Sequence, residues 1–335
     1  MVRRRILAAL AVVMITVSSL IGVAWQGRVD AAQQASVIGG NALKVSPVRQ
    51  DLTADPGTKK TVTIYVTNVT SVPATLHVVE NDFVAAGDES GKPNVILDEK
   101  QYAPSHSLKR FMQPVKDFTL AANGTKQIDV VLDIPKTAAG GGYFGAVRFE
   151  PASQTSDKTL SVSASVGSLI LLKVNGTIKE QLSVESFDVR QKGKAGRFFT
   201  NSKDLTAVVR FRNGGNVQVA PFGKVLASKS GKELSSQEIN ESKPLGSVLP
   251  DSVRRFEVTL NKIGGFGKYT VKGNFGYGST GQLLSSSVTF YVVPIATLVA
   301  LGLGLILILL LIFVAPRLIK SYNRKVIRSA SKKRR

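Results

Sequence analysis

Thr61-Val62-Thr63-Ile64-Tyr65-Val66-Thr67 alternates without a break between branched aliphatic residues and hydroxyl or aromatic ones. Successive side chains on a strand point to opposite faces, so Val62, Ile64 and Val66 share one face and the stretch predicts a strand with one buried side. The same pattern recurs outward along the chain. Residues 127–134 follow the turn pair Asn123-Gly124 and stop at Pro135, and residues 144–149 form another candidate strand. Residues 160–166 alternate again before the apolar run 169–172. Further on, 206–212, 217–227, 254–260, 268–275 and 286–293 read as strands separated by Gly, Pro, Asn and Asp. Many short strands at this spacing predict an all-β fold of two tandem immunoglobulin-like antiparallel β-sandwiches. The first is placed over 41–173 and the second over 174–290, with the boundary at the turn Val174-Asn175-Gly176.

Both ends of the chain differ from this middle. Arg3-Arg4-Arg5 precede an uncharged stretch over 6–25, and small residues follow at 29–32. That order predicts an export signal over 1–31 cut near Ala31, with an uncleaved anchor as the alternative. Residues 288–316 carry no charge, and about 20 apolar residues suffice to cross a bilayer as a helix. A transmembrane helix is therefore predicted over 291–316. The tail 317–335 holds nine Lys or Arg and no acid, which places it on the cytoplasmic side and the sandwiches outside the cell membrane.

Of the 335 residues, 44 are Lys or Arg and 23 are Asp or Glu, a formal charge of +21. Twelve of those basic residues lie in the tail and the first five positions, so the charge reflects topology and gives no argument for nucleic-acid binding. The rest is uneven: 41–173 nets +1, whereas 174–293 holds 17 basic and nine acidic residues, net +8. A basic domain next to the helix suits anionic membrane lipids or wall polymers, and Lys192, Lys194 and Arg197 form a candidate contact cluster.

The chain has no cysteine, which excludes thiolate metal sites, disulfides and cysteine nucleophiles. With only His77 and His106, and no Gly-x-Ser-x-Gly elbow, no catalytic residue, metal or cofactor is assigned. Glu80, Asp82, Asp88, Glu89, Asp98 and Glu99 lack the calcium-loop spacing; paired carboxylates of a wall-glycan hydrolase remain the enzymatic alternative. Gly140-Gly141-Gly142 has no Lys-Ser or Lys-Thr after it and reads as a tight strand start.

About thirty residues, 84–114, break the strand rhythm, and loops of that length are usually functional or mobile. A short helix over 105–112 with Ser105 as its cap is expected there. Tyr102 and His106 from this segment, with Tyr143 and Phe144 from the strand beyond, are the candidate ligand-binding residues. Phe111 is either a further contact or a plug at the sandwich end.

Val45-Ser46-Pro47, Asp55-Pro56-Gly57, Ser107-Leu108-Lys109-Arg110-Phe111, Phe118-Thr119-Leu120, Ile134-Pro135 and Gly141-Gly142-Tyr143-Phe144-Gly145 occur in that order. This series resembles the peptidoglycan-binding N-terminal domain of the WxL-interacting protein family. The resemblance extends to the layout of signal, two sandwiches, membrane helix and basic tail. It implies a membrane-anchored, non-enzymatic surface protein whose partners are peptidoglycan or another cell-wall polymer and surface proteins. The opening strand is also similar to that of pilus-assembly chaperones, so a membrane-tethered assembly factor for exported subunits is the alternative.

Overall fold

The computed structural model describes residues 42–152, 165–317 and 319–320. The signal at 1–31, the start of the 160–166 alternation and most of the basic tail lie outside the described residues.

Nine strands build the first sandwich: β1 (Leu43–Ser46), β2 (Arg49–Ala54), β3 (Lys59–Asn68), β4 (Ala74–Ala85), β5 (Pro93–Val95), β6 (Phe118–Leu120), β7 (Thr125–Asp133), β8 (Gly141–Pro151) and β9 (Val166–Val174). One sheet has the order β1-β3-β7; the other runs β2-β9-β8-β4-β5, with β6 also paired to β4. The alternation that opens the sequence reading lies in β3, and Val62, Ile64 and Val66 are all buried. They pack with Leu76, Phe149 and Ile170 into one core between the sheets. Truncating such a side chain to alanine costs about 2–5 kcal/mol. The chain changes sheets between β1 and β2, and β2 then lies parallel to β9, from Arg49↔Leu169 to Ala54↔Val174. The protein thereby closes part of an edge that would otherwise be open to other strands.

Nine more strands form the second sandwich: β10 (Leu182–Gln191), β11 (Lys194–Ala195), β12 (Phe198–Phe199), β13 (Leu205–Asn213), β14 (Phe222–Lys229), β15 (Lys232–Ile239), β16 (Val253–Thr259), β17 (Gly267–Tyr277) and β18 (Gln282–Val292). Its sheets are β11-β10-β13-β16 and β12-β18-β17-β14-β15. Phe211 and Phe275 meet edge-to-face at 5.0 Å in its core, and Tyr269 stacks on Phe290. The pairing is antiparallel except at β2–β9 and β12–β18, which are parallel.

Three local expectations are corrected. The stretch 217–227 is not one strand, because Pro221 has no N–H to give a ladder; β14 begins at Phe222, and upstream there is only a bridge between Val219 and Val248. The helix expected over 105–112 is a single 3-10 turn, Lys109–Phe111, preceded by Leu108 with no side-chain cap. The segment 84–114 is not a free loop, since its first part is a hairpin in which Ala85 faces Pro93.

After β18 the chain enters helix α1 (Ile295–Phe313), whose 19 residues are uncharged and, apart from Thr297, apolar, with none buried. At 1.5 Å per residue α1 is about 28 Å long, close to the ~30 Å hydrocarbon thickness of a bilayer.

Candidate functional site

The tip of the β4–β5 hairpin reaches across to the second sandwich. Glu89 accepts Nε of Arg210 at 2.7 Å and a second bond from the same guanidinium, and its carbonyl accepts the N–H of Arg255 at 2.9 Å. That guanidinium holds the Glu89 carboxyl below its ordinary value, against the opposing effect of burial. On the other side of the junction Asn216 accepts the N–H of Gly142 at 2.7 Å and donates to the carbonyl of Gly140 at 2.9 Å. Gly141, between them, has φ +155°, and a Cβ there would lie 2.8 Å from the Asn216 carbonyl oxygen. The glycine run is thus the docking point of the second sandwich on the first.

Between these two ties lies a cleft of about 60 Å³. Phe83, Leu169 and Leu171 line it from the first sandwich and Leu249 from the second, with Arg49, Lys92 and Arg254 among them. Arg49 is spoken for: it pairs with Asp51 at 2.8 Å and donates to Leu245 and Ser247. Arg254 is not. It donates to the Ser247 carbonyl at 2.9 Å and lies over the Phe256 ring at 5.0 Å, while its Nε is buried without a partner. Among the described residues it has no ion-pair partner. Burial, with repulsion from Arg49 added, pushes its guanidinium below the usual arginine value. Gly91 and Gly246 make room for the group, because a Cβ at either would lie within 2.5 Å of it.

A second concavity, of about 340 Å³, opens on the first sandwich where the segment 103–111 crosses the start of β8. It brings His106 and Tyr143 together with Arg110. His106 has φ +60° and its Nδ1 lies 2.6 Å from the Gly142 carbonyl. The half-buried Tyr143 donates its hydroxyl to Ala139 at 3.0 Å, and burial raises its phenol. Tyr102 borders this groove only through cations: Arg110 lies 4.5 Å and Lys109 5.2 Å from its ring centroid. Phe144 is not on the surface of the groove. It is 3% exposed and packs against Phe83 and the back of His106, because both faces of β8 are covered. Phe111 is buried as well, 4.7 Å from Tyr143.

Within the acidic cluster Asp82 and Glu80 are engaged by backbone donors in the fold, whereas Asp88, Asp98 and Glu99 are exposed. Asp82, fully buried, accepts the N–H of Ala103 and of Lys109, both at 2.9 Å, and so pins the segment that carries His106. Glu80 accepts Val115, Asp88 accepts Ser90, and Asp98 accepts Lys100. No group of acids and histidines that could hold a metal occurs among the described residues. His77 instead pairs with Asp117 at 2.9 Å, a bond that raises the imidazole and lowers the carboxyl.

Lys192, Lys194 and Arg197 are exposed at the end of the second sandwich opposite the Glu89–Arg210 tie, beside the point where β18 runs into α1. They belong to neither concavity.

The chain matches no family profile and no curated protein. Its fold is similar to several solved structures. The class 5 fimbriae chaperone CfaA is 12% identical at a TM-score of 0.38, covering 75% of this chain and 99% of that one. The Pseudomonas aeruginosa CupB2 chaperone is 10% identical at 0.35, covering 74% and 100%. The CsuC–CsuE chaperone–tip adhesion subunit pre-assembly complex of Acinetobacter baumannii is matched at 12% and 0.37, covering 72% and 97%.

Proposed function

We propose that the chain is a membrane-anchored binding protein of the cell surface, its two sandwiches outside the cell and its tail inside, that takes hold of a segment of a surface or exported polypeptide. The observation that carries this reading is Arg254 in its cleft. A guanidinium stays protonated at any physiological pH, and holding a half-buried one against apolar walls without a counter-charge is unfavourable. A carboxylate on the ligand supplies that partner through two parallel charge-assisted bonds. Phe83, Leu171 and Leu249 then take an apolar side chain next to it. A cleft of about 60 Å³ suits a chain terminus or one side chain better than a sugar. The partner is therefore a polypeptide that presents a carboxylate beside an apolar residue. A photo-crosslinker in place of Leu249 in the full-length chain tests this directly. Envelope proteins should form a discrete adduct that disappears with Arg254→Met.

A second reading, recognition of peptidoglycan, is favoured by the groove at His106 and Tyr143. Arg110 is exposed there without an ion-pair partner among the described residues, and it offers a donor fork to the carboxylates of wall peptides. The resemblance to WxL-interacting proteins belongs with this reading. Binding of the full-length chain to purified walls, lost with Arg110→Ala and kept with Arg254→Met, would establish it in place of the first. An assembly factor for exported subunits differs from the first reading only in the lifetime of the complex. Pulse–chase of the adduct separates the two.

A further inference from the structure

Phe198 is 73% exposed and Phe266 is 60% exposed, and the backbone at both is tied into the end of the second sandwich. Phe198 stacks on Tyr291 with ring centroids 5.1 Å apart and planes 15° apart. Phe266 directly precedes Gly267, which pairs with Val292, and its carbonyl accepts Nζ of Lys229 at 2.9 Å. Both rings therefore lie level with the last residues of β18. From Val292 the chain needs only three steps to reach Ile295, the first residue of α1, a span of at most about 11 Å. The connection is tied down, since Val293 donates to Phe199 at 2.8 Å and Thr297 to Pro294 at 2.9 Å.

From these observations we infer that this end of the second sandwich rests on the bilayer in which the chain is anchored, with Phe198 and Phe266 seated in the interfacial layer and the lysines and arginine around them on lipid phosphates. The inference rests on the reading of α1 as a membrane span. A helix of 19 residues about fills the ~30 Å hydrocarbon layer, and the head-group layer adds about 5–7 Å on each side. Residues level with Val292 thus lie within a side chain's reach of the head-group layer, where amphipathic surfaces sit on a membrane. The charge agrees. The three segments that make up this end, 192–204, 229–233 and 260–268, carry eight Lys or Arg against two acids. Each basic group near an anionic leaflet strengthens attachment by about five-fold. The bilayer, and not a protein, is the occupant because α1 itself brings the lipid to this surface.

The chain contains no cysteine, so a single one introduced at Phe198, Phe266, Val72 or Leu305 takes a fluorescent label at one place. Val72 lies between β3 and β4 at the far end of the first sandwich and is 62% exposed. The full-length chain is reconstituted into vesicles containing anionic lipid, with the nitroxide on the head groups for the labels at 198, 266 and 72 and near the acyl-chain ends for the label at 305, which lies midway along α1. Labels at 198 and 266 should lose several-fold more emission to the nitroxide than the label at 72, and Lys194→Glu with Arg197→Glu should reduce that loss. Quenching at 305 but not at 198 and 266 would overturn the inference and leave the anchor standing. No quenching at 305 would overturn both. Labels at 198 and 266 shielded from water but not quenched by lipid would mean that a protein covers the surface, and would equally overturn it.

Discussion

Glu89 at the tip of the β4–β5 hairpin and Arg210 on β13, 121 residues apart, meet in a two-pronged ion pair that ties one sandwich to the other. Because both side chains are about three-quarters buried, the pair is more than a surface contact. Glu89→Gln should lower the stability of the docked pair by about 1–3 kcal/mol, since it leaves Arg210 half-buried with a weaker acceptor. Chemical denaturation should then resolve two transitions where the parent shows one.

The same pair sets a dependence on acid. The folded Glu89 carboxyl lies below its ordinary value of 4.5, so its contribution is complete above that value and is lost as pH falls through the lowered one. The sandwiches should come apart in acid, below about pH 4.5, and not at neutral pH. Glu89→Gln should be loosened to the same degree at pH 7 and show none of this pH dependence. Segment-specific hydrogen exchange across the junction measures both.

Asp82→Asn should release the segment over His106. The amide has one acceptor oxygen where the carboxylate serves Ala103 and Lys109 through two, so one buried N–H is orphaned at a cost of about 1–3 kcal/mol. Limited proteolysis should cut within 96–109 in the variant and spare it in the parent.

The strands with clean alternation were legible in the sequence because their faces are simple: β3 buries one side along its length. Among the strands of eight residues or more, three went unseen for identifiable reasons. β10 carries a bulge between Val184 and Ser186 that switches its faces midway. β15 is a polar edge strand, Lys-Glu-Leu-Ser-Ser-Gln-Glu-Ile. β4 buries Asn81 and Asp82 in its centre, where a pattern of apolar residues cannot register them. The groove was legible in part, since His106 and Tyr143 meet there, whereas Phe144 was misplaced because β8 is covered on both faces. The cleft was not legible at all. Arg49, Phe83 and Leu171 come from three separate stretches and Leu249 and Arg254 from a fourth, and no local spacing joins them.

Gly91→Ala should damage the cleft without touching its chemistry. Gly91 has φ +78°, and a Cβ there would lie 2.1 Å from the Arg254 guanidinium. The backbone strain alone is of order 1 kcal/mol, and Arg254 has to move. Formation of the Leu249-site adduct should fall, while binding to walls through the His106 groove stays unchanged.

Orientation is checked on intact cells. External protease should degrade the two sandwiches while a tag placed after Arg335 survives, because the nine basic residues of the tail belong inside. Loss of the tag with survival of the sandwiches would reverse the topology.

The most direct test of the central claim compares Arg254→Met with the parent chain in two readouts, denaturant stability and the envelope adduct formed through the crosslinker at position 249. Replacing a half-buried charge that has no counter-ion by an apolar side chain of similar length should leave stability unchanged or raise it by about 1 kcal/mol. The adduct should vanish. An undiminished adduct in Arg254→Met would contradict the account, and so would a stability loss above about 2 kcal/mol, because Arg254 would then be holding the sandwiches together rather than waiting for a carboxylate.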